Sequence, residues 1–178
     1  CNLLLLVTKA GVRLFKKSRR YLRSVYYPKH YLSASNNCRY MENRGVDPEI
    51  LAGLGVKDDQ RYVVFHCREG SYKSQLMGSQ ERAEDSLRNS QVDRLLPILN
   101  FLVAEGYTVV RFGDPSMSRV SLDGVIDLAH ADTHVRDSAQ FYFAKRAVCG
   151  ICNESGVVPV VQMFDKPLCV FDATDPLV

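Results

Sequence analysis

The stretch Tyr62-Val63-Val64-Phe65-His66-Cys67 is apolar without alternation and is bounded by Arg61 and Arg68. A strand with one buried face alternates polar and apolar residues. One that is apolar throughout must be covered on both faces, the condition of a strand inside a parallel sheet flanked by helices. Short apolar runs recur at 107–112, 125–128, 147–151 and 167–171, and the segments between them have helical spacing. Val92, Leu95, Leu96, Leu99, Leu102 and Val103 predict a helix over 92–104 closed by Gly106, with Ser90 as its N-cap and Asp93 as a capping acid. An aromatic-rich helix is predicted over 137–146, and a short one from near Gly156 to Phe164. Asp47-Pro48-Glu49 opens an earlier short helix that Gly53 and Gly55 end. The alternation predicts an α/β fold: a Rossmann-like parallel sheet of about five strands with helices on both faces, preceded by a helical connector.

A chain of 178 residues has room for one ordinary core and an appendage. The expected division is 1–45, an amino-terminal helix and connector, and 46–178, the Rossmann-like domain. The chain begins at Cys1 and enters an apolar run at residues 3–7, so it reads as a piece of a longer protein. That run is far below the roughly 20 residues of a transmembrane helix, and the cations follow it rather than precede it as in a signal peptide.

A net charge of +3 does not imply a nucleic-acid partner. Lys9, Arg13, Lys16, Lys17, Arg19, Arg20 and Arg23 crowd the amino-terminal part and leave the remainder slightly acidic. Two readings fit them: the solvated face of a terminal helix, or a contact with a membrane surface or a phosphate-bearing partner. The six cysteines lie mostly in apolar runs, as buried free thiols of a reducing compartment do. The expected location is therefore cytoplasmic, with peripheral attachment at the inner face of the membrane if the basic segment binds there. Cys149-Gly150-Ile151-Cys152 has the spacing of a redox or metal pair, which leaves a thiol oxidoreductase as an alternative function.

In parallel sheets of this kind ligands bind outside the carboxyl ends of the strands. The sequence is polar there. The first strand is followed by Arg68, Glu69, Ser71 and Tyr72, the second by Gly113, Asp114 and Ser116. The third leads to His130, Asp132 and His134, and the fourth to Asn153, Glu154, Ser155 and Gly156.

Side chains alternate along an extended chain, so His66 and Arg68 share a side and could face one ligand. Arg68 offers a planar, permanently charged fork for phosphate oxygens, and His66 can donate a hydrogen bond while neutral. The competing reading puts His66 in the core and pairs Arg68 with Glu69 or Asp114. Arg88 and Asn89 precede the first long helix in a loop beside the first strand's end, where Arg88 could supply a second cation. Ser155-Gly156 before a helical turn offers free amides and a helix dipole to an anion, although an ordinary cap looks the same. Glu154 on that turn could accept bonds from ribose hydroxyls. His130 and His134 flank Asp132 at a spacing that suits a metal only on a helix; a loop is expected, and no metal is assigned.

Taken in order, these pieces resemble a family of bacterial glycosyltransferases. The resemblance rests on His66 and Arg68; Ser86, Arg88 and Asn89; Gly113, Asp114, Pro115 and Met117; Asp127, Ala129 and His130; and Ser155 with Gly156. It covers about Gly53 to the end of the chain, and it implies that 46–178 is a nucleotide-sugar-binding domain truncated at its carboxy end and 1–45 the remnant of an upstream domain. It implies the carboxy-terminal, donor-binding half of a GT-B-type enzyme, and is more distantly similar to protein O-fucosyltransferases, in which a His-x-Arg strand end serves the nucleotide diphosphate. The implied partners are a nucleotide diphosphate sugar as donor substrate, its ribose or sugar held by Asp114 or Glu154, and a hydroxyl acceptor, with no further cofactor. Where the family carries Thr before Ser-Gly, this chain has Glu154. A non-catalytic nucleotide- or phosphate-binding module is the alternative from another class.

Overall fold

The computed structural model of the chain describes residues 45–57, 59–71 and 87–172. The basic segment 9–23, the expected connector up to residue 44, Tyr72 and Ser86 lie outside the described residues.

Helix α1, Pro48–Gly53, opens as expected: the Asp47 carboxylate accepts the Glu49 N–H at 2.9 Å, and Pro48 takes a position where the missing N–H costs nothing. Strand β1, Arg61–His66, follows. The next helical segment starts differently from the expectation. A 3-10 turn, Val92–Leu95, leads into α2, Leu96–Ala104. A single α-helix from Val92 would set Pro97 in its interior, against the carbonyl four residues back; breaking the segment puts Pro97 in the first turn of α2. The residue capping the 3-10 turn is Gln91, and Ser90 instead donates its hydroxyl to Asp172 Oδ2 at 2.8 Å. Gly106, at φ 77°, turns the chain after α2 in a conformation that suits glycine.

Strands β2, Tyr107–Arg111, and β3, Val125–Asp127, come next, then a 3-10 turn, Leu128–His130, and α3, Thr133–Arg146. Helix α3 begins four residues before the expected start at 137. Its first turn, with Thr133 and His134 exposed, has no apolar face for a periodicity argument to detect. Strand β4, Ala147–Asn153, runs two residues beyond expectation and so carries Asn153 inside the ladder. Helix α4, Val157–Met163, and strand β5, Leu168–Phe171, complete the described part.

All four pairings are parallel, and the five strands stand in the order β3-β2-β1-β4-β5. Both faces are covered, as the unbroken apolar run in β1 requires. Tyr62 and Val64 pack with Phe143 of α3 and Val161 of α4. Val63 and Phe65 pack with Leu99 and Leu102 of α2. Rossmann-like architecture follows from the sequence as read. The chain winds outward from β1 through α2 on one face, then returns across it to β4 and continues outward through α4 on the other. Strands β1 and β4 are neighbours whose connections depart in opposite directions, and sheets of this kind form their ligand crevice between the carboxyl ends of such a pair.

Candidate functional site

Two groups of polar residues meet at that edge of the sheet. The first lies in the crevice between β1 and β4. Asn153, the last residue of β4, is fully buried. Its Oδ1 accepts the backbone N–H of Arg68 at 2.8 Å, and its Nδ2 donates to the carbonyl oxygen of Arg88 at 2.9 Å. The Ser90 N–H donates to the Arg68 carbonyl at 2.8 Å. The segment bearing Arg88 is thereby laid against the end of β1. Both cations anticipated for an anion stand on backbone tied to one amide.

Arg68 is 8% exposed, an expensive place for a permanent charge unless an anion offsets it. Arg88 is more open: its Nη1 lies 3.9 Å from Glu154 Oε1, with the side chains 28% and 25% exposed. Solvent-screened contacts of this kind are worth about 0–1 kcal/mol, so a phosphate could take the place of Glu154 at little cost. Asn89 is half-buried between Arg88 and Ser90. The Ser155 hydroxyl accepts the Val157 N–H at 3.4 Å at the start of α4. Gly156 has an ordinary helical φ of −63°, and a Cβ there would meet nothing within 4 Å. The protein itself therefore does not demand glycine at 156, and the space beside its backbone is open.

His66 follows the competing reading for one ring nitrogen: it is buried and bonded within the fold. Its Nδ1 lies 2.9 Å from the carbonyl oxygen of Phe112, which can only accept, so Nδ1 carries the proton. Burial lowers its pKa to about 4; the bond to Phe112 works against that shift, and the Arg111 and Arg68 charges add to it. The ring is neutral at pH 7 with a lone pair on Nε2. It can accept a hydrogen bond from a ligand or a guanidinium but cannot donate one, which corrects the expectation of a direct contact to phosphate oxygen.

The second group lies at the ends of β2 and β3 and centres on Arg111, whose side chain is fully buried. Pairing sets Phe65 opposite Arg111 and Arg111 opposite Asp127. Arg111 Nη2 meets Glu69 Oε1 at 2.9 Å, and its Nη1 meets Asp127 Oδ2 at 3.2 Å and the Ser118 carbonyl. Glu69 Oε2 accepts from the Ser118 N–H at 2.8 Å and from the Ser118 hydroxyl at 2.7 Å. Asp127 Oδ2 also accepts the Val120 N–H at 2.9 Å. The loop after β2 is thus stitched to three strand ends by one cation and two carboxylates. Glu69, considered above as a partner for Arg68, serves Arg111.

Several predicted ligand contacts belong to this second group. His130 Nδ1 lies 3.0 Å from Asp127 Oδ2 and its Nε2 lies 3.0 Å from the Met117 carbonyl, so both ring nitrogens face protein oxygens. Asp114 Oδ1 accepts the Ser116 N–H at 3.0 Å and shapes its own turn. Gly113 is small because of packing: a Cβ there would lie 2.8 Å from Met117 Sδ and 3.0 Å from the Ala129 Cβ. That accounts for Gly113, Met117 and Ala129 as mutually fitted parts of one turn.

The cysteine pair is not arranged for redox chemistry. Cys149 and Cys152 both lie within β4, three residues apart on an extended chain, so their Cα atoms are separated by about 10 Å, beyond the reach of a disulfide. They also pack on opposite faces. Burial pushes the Cys149 thiol up to about 11 and raises that of the fully buried Cys152 as well, so neither is primed as a thiolate. Among the described residues no group of three or more His, Cys, Asp or Glu side chains is placed to hold a metal ion, and no helix is long and apolar enough to cross a membrane.

No protein-family model and no curated protein matches the sequence. Among solved structures the chain is similar to a glycosyl transferase family 9 protein from Veillonella parvula, at 16% identity and a TM-score of 0.44. The match covers 68% of this chain and 32% of the other, so the chain spans about a third of that protein's length.

Proposed function

We propose that the crevice between β1 and β4 binds the diphosphate of a nucleotide sugar, and that the chain is the donor-binding part of a glycosyltransferase acting on a hydroxyl acceptor. The observation that carries the reading is the Asn153 amide, which joins the backbones of Arg68 and Arg88 at the topological switch point of the sheet. The order of the motifs through Ser155 and Gly156 supports it independently.

Glycosyl transfer breaks the bond between the sugar's anomeric carbon and a diphosphate oxygen, and negative charge gathers on the departing diphosphate. Fixed cations in a site of low dielectric stabilise that charge without having to reorganise. Arg68 and Arg88 supply the charge in this reading, and amides at Ser155 and Gly156 add neutral donors. His66 Nε2 accepts from a guanidinium and orients it. Glu154 exchanges its contact with Arg88 for hydroxyls of the ribose or sugar, with Asp114 a second acceptor. Asn89 lines the wall beside Arg88, while Gly113 and His130 shape the neighbouring turn at the ends of β2 and β3. The base that activates the acceptor is assigned to no residue of this chain, and the basic segment 9–23 is proposed as a membrane-surface contact.

The test uses the protein in its full natural length. Turnover with a nucleotide-sugar donor should fall by about a hundredfold or more in Arg68→Ala. Near-normal turnover would remove Arg68 from the mechanism. A protein that binds nucleoside diphosphate but neither transfers nor hydrolyses any donor sugar would instead be a non-catalytic binding module.

A further inference from the structure

Resting on the diphosphate reading above, we infer that Asn153 is the positioning residue that makes Arg68 and Arg88 a single diphosphate site rather than two separate cations. Arg68 and Arg88 come from segments 85 and 65 residues away from Asn153 along the chain, and each is bonded to one end of the same carboxamide. The two ends have opposite hydrogen-bonding polarity. Oδ1 takes the N–H of Arg68, and Nδ2 gives to the carbonyl of Arg88. Aspartate would face the Arg88 carbonyl with a second acceptor, leucine would leave both backbone groups without this partner, and serine is too short to span them. The side chain is also fully buried, so water does not readily replace it.

The consequence is selective. A single phosphate group can be held by one guanidinium wherever that guanidinium sits. Pyrophosphate presents two phosphoryl groups at fixed separation, and full affinity requires both guanidiniums at matching positions. Loss of the Asn153 bridge should leave each arginine in the protein but relax the distance between them. Asn153 touches no ligand in this account; it acts through the backbones of two residues that do.

The experiment is calorimetric titration of the full chain with inorganic pyrophosphate and with inorganic phosphate, probes that need no knowledge of the base or sugar. The wild-type protein should prefer pyrophosphate by about tenfold or more. Asn153→Leu should lose about tenfold in pyrophosphate affinity while phosphate affinity changes by less than about threefold, so that the preference collapses. Asn153→Ser, a gentler change, should move the ratio in the same direction if the leucine variant does not fold. A double-mutant cycle gives a second readout. In the wild-type background, Arg68→Ala and Arg88→Ala together should cost much less in pyrophosphate affinity than the product of their separate losses, because either one already breaks the pair.

A variant at Asn153 that keeps the wild-type ratio overturns the inference, as do arginine losses that simply multiply. Wild-type protein that binds neither anion overturns the diphosphate reading itself, which is a distinct failure.

Discussion

His66 donates from Nδ1 to the carbonyl oxygen of Phe112 across the ends of β1 and β2, at 2.9 Å; this bond fixes its tautomer, while burial keeps the ring neutral. The folded ring takes a proton only near pH 4, whereas an unfolded imidazole does so near 6.5. With the folded value depressed, stability is fully present above about 6.5 and falls as pH drops from there toward 4. The loss is about 3 kcal/mol across that window. In His66→Asn, whose Nδ2 can stand in for Nδ1, this part of the pH dependence should vanish. Urea midpoints at pH 7 and pH 4.5 for the two proteins measure it; parallel profiles would mean that His66 is not the titrating group.

Arg111 gives a second test, of stability alone. Arg111→Met leaves Glu69 and Asp127 facing each other's charge without their shared cation, a change expected to cost about 3 kcal/mol or more. Adding Glu69→Gln and Asp127→Asn should recover part of that loss, since the uncompensated charges are then gone. Denaturant unfolding of the single and triple variants decides it, and a triple variant no better than Arg111→Met would count against the charge-balance account.

At Gly113 the expectation is steric. A methyl group would sit 2.8 Å from Met117 Sδ and 3.0 Å from the Ala129 Cβ. Met117 can swing aside, but the Ala129 Cβ is fixed to the backbone. Gly113→Ala should therefore cost about 1–3 kcal/mol by overpacking. Gly156→Ala, where a Cβ meets nothing, should leave stability within about 0.5 kcal/mol. Thermal denaturation of the pair separates packing from conformation.

The thiols supply a chemical check. Burial raises Cys67 to about 12 and Cys149 to about 11, and Cys152 is fully buried. Iodoacetamide at pH 8 should modify these three far more slowly in the folded protein than in urea, as read by residue-resolved mass spectrometry. Rapid native labelling of Cys149 or Cys152 would revive the oxidoreductase alternative.

The interior of the fold was legible because β1 cannot be apolar on both sides without helices over each face. The crevice was partly legible: Arg68, Arg88 and Glu154 fall where strand ends were expected, and the structure brings them together. Asn153 was visible only as a polar residue after a strand. Its two partners come from distant parts of the sequence, so its role exists only in three dimensions. Arg111 left one usable signal. A charged residue within Tyr107-Thr108-Val109-Val110-Arg111-Phe112, a run that must be buried, needs a counter-charge, and carboxylates at neighbouring strand ends are the nearest source. Ser90 misled because a capping serine and a serine that ties two loops together have the same local sequence; only the position of Asp172 distinguishes them.

The web around Arg111 and the single amide of Asn153 also divide the crest of the sheet mechanically. On the β2 and β3 side, four side chains, Arg111, Glu69, Asp127 and His130, hold the loop through residue 120 by five hydrogen bonds. On the β1 and β4 side, the turn bearing Arg88 is held through Asn153 and Ser90. The opposite bank is therefore a stiff abutment against which that turn is set.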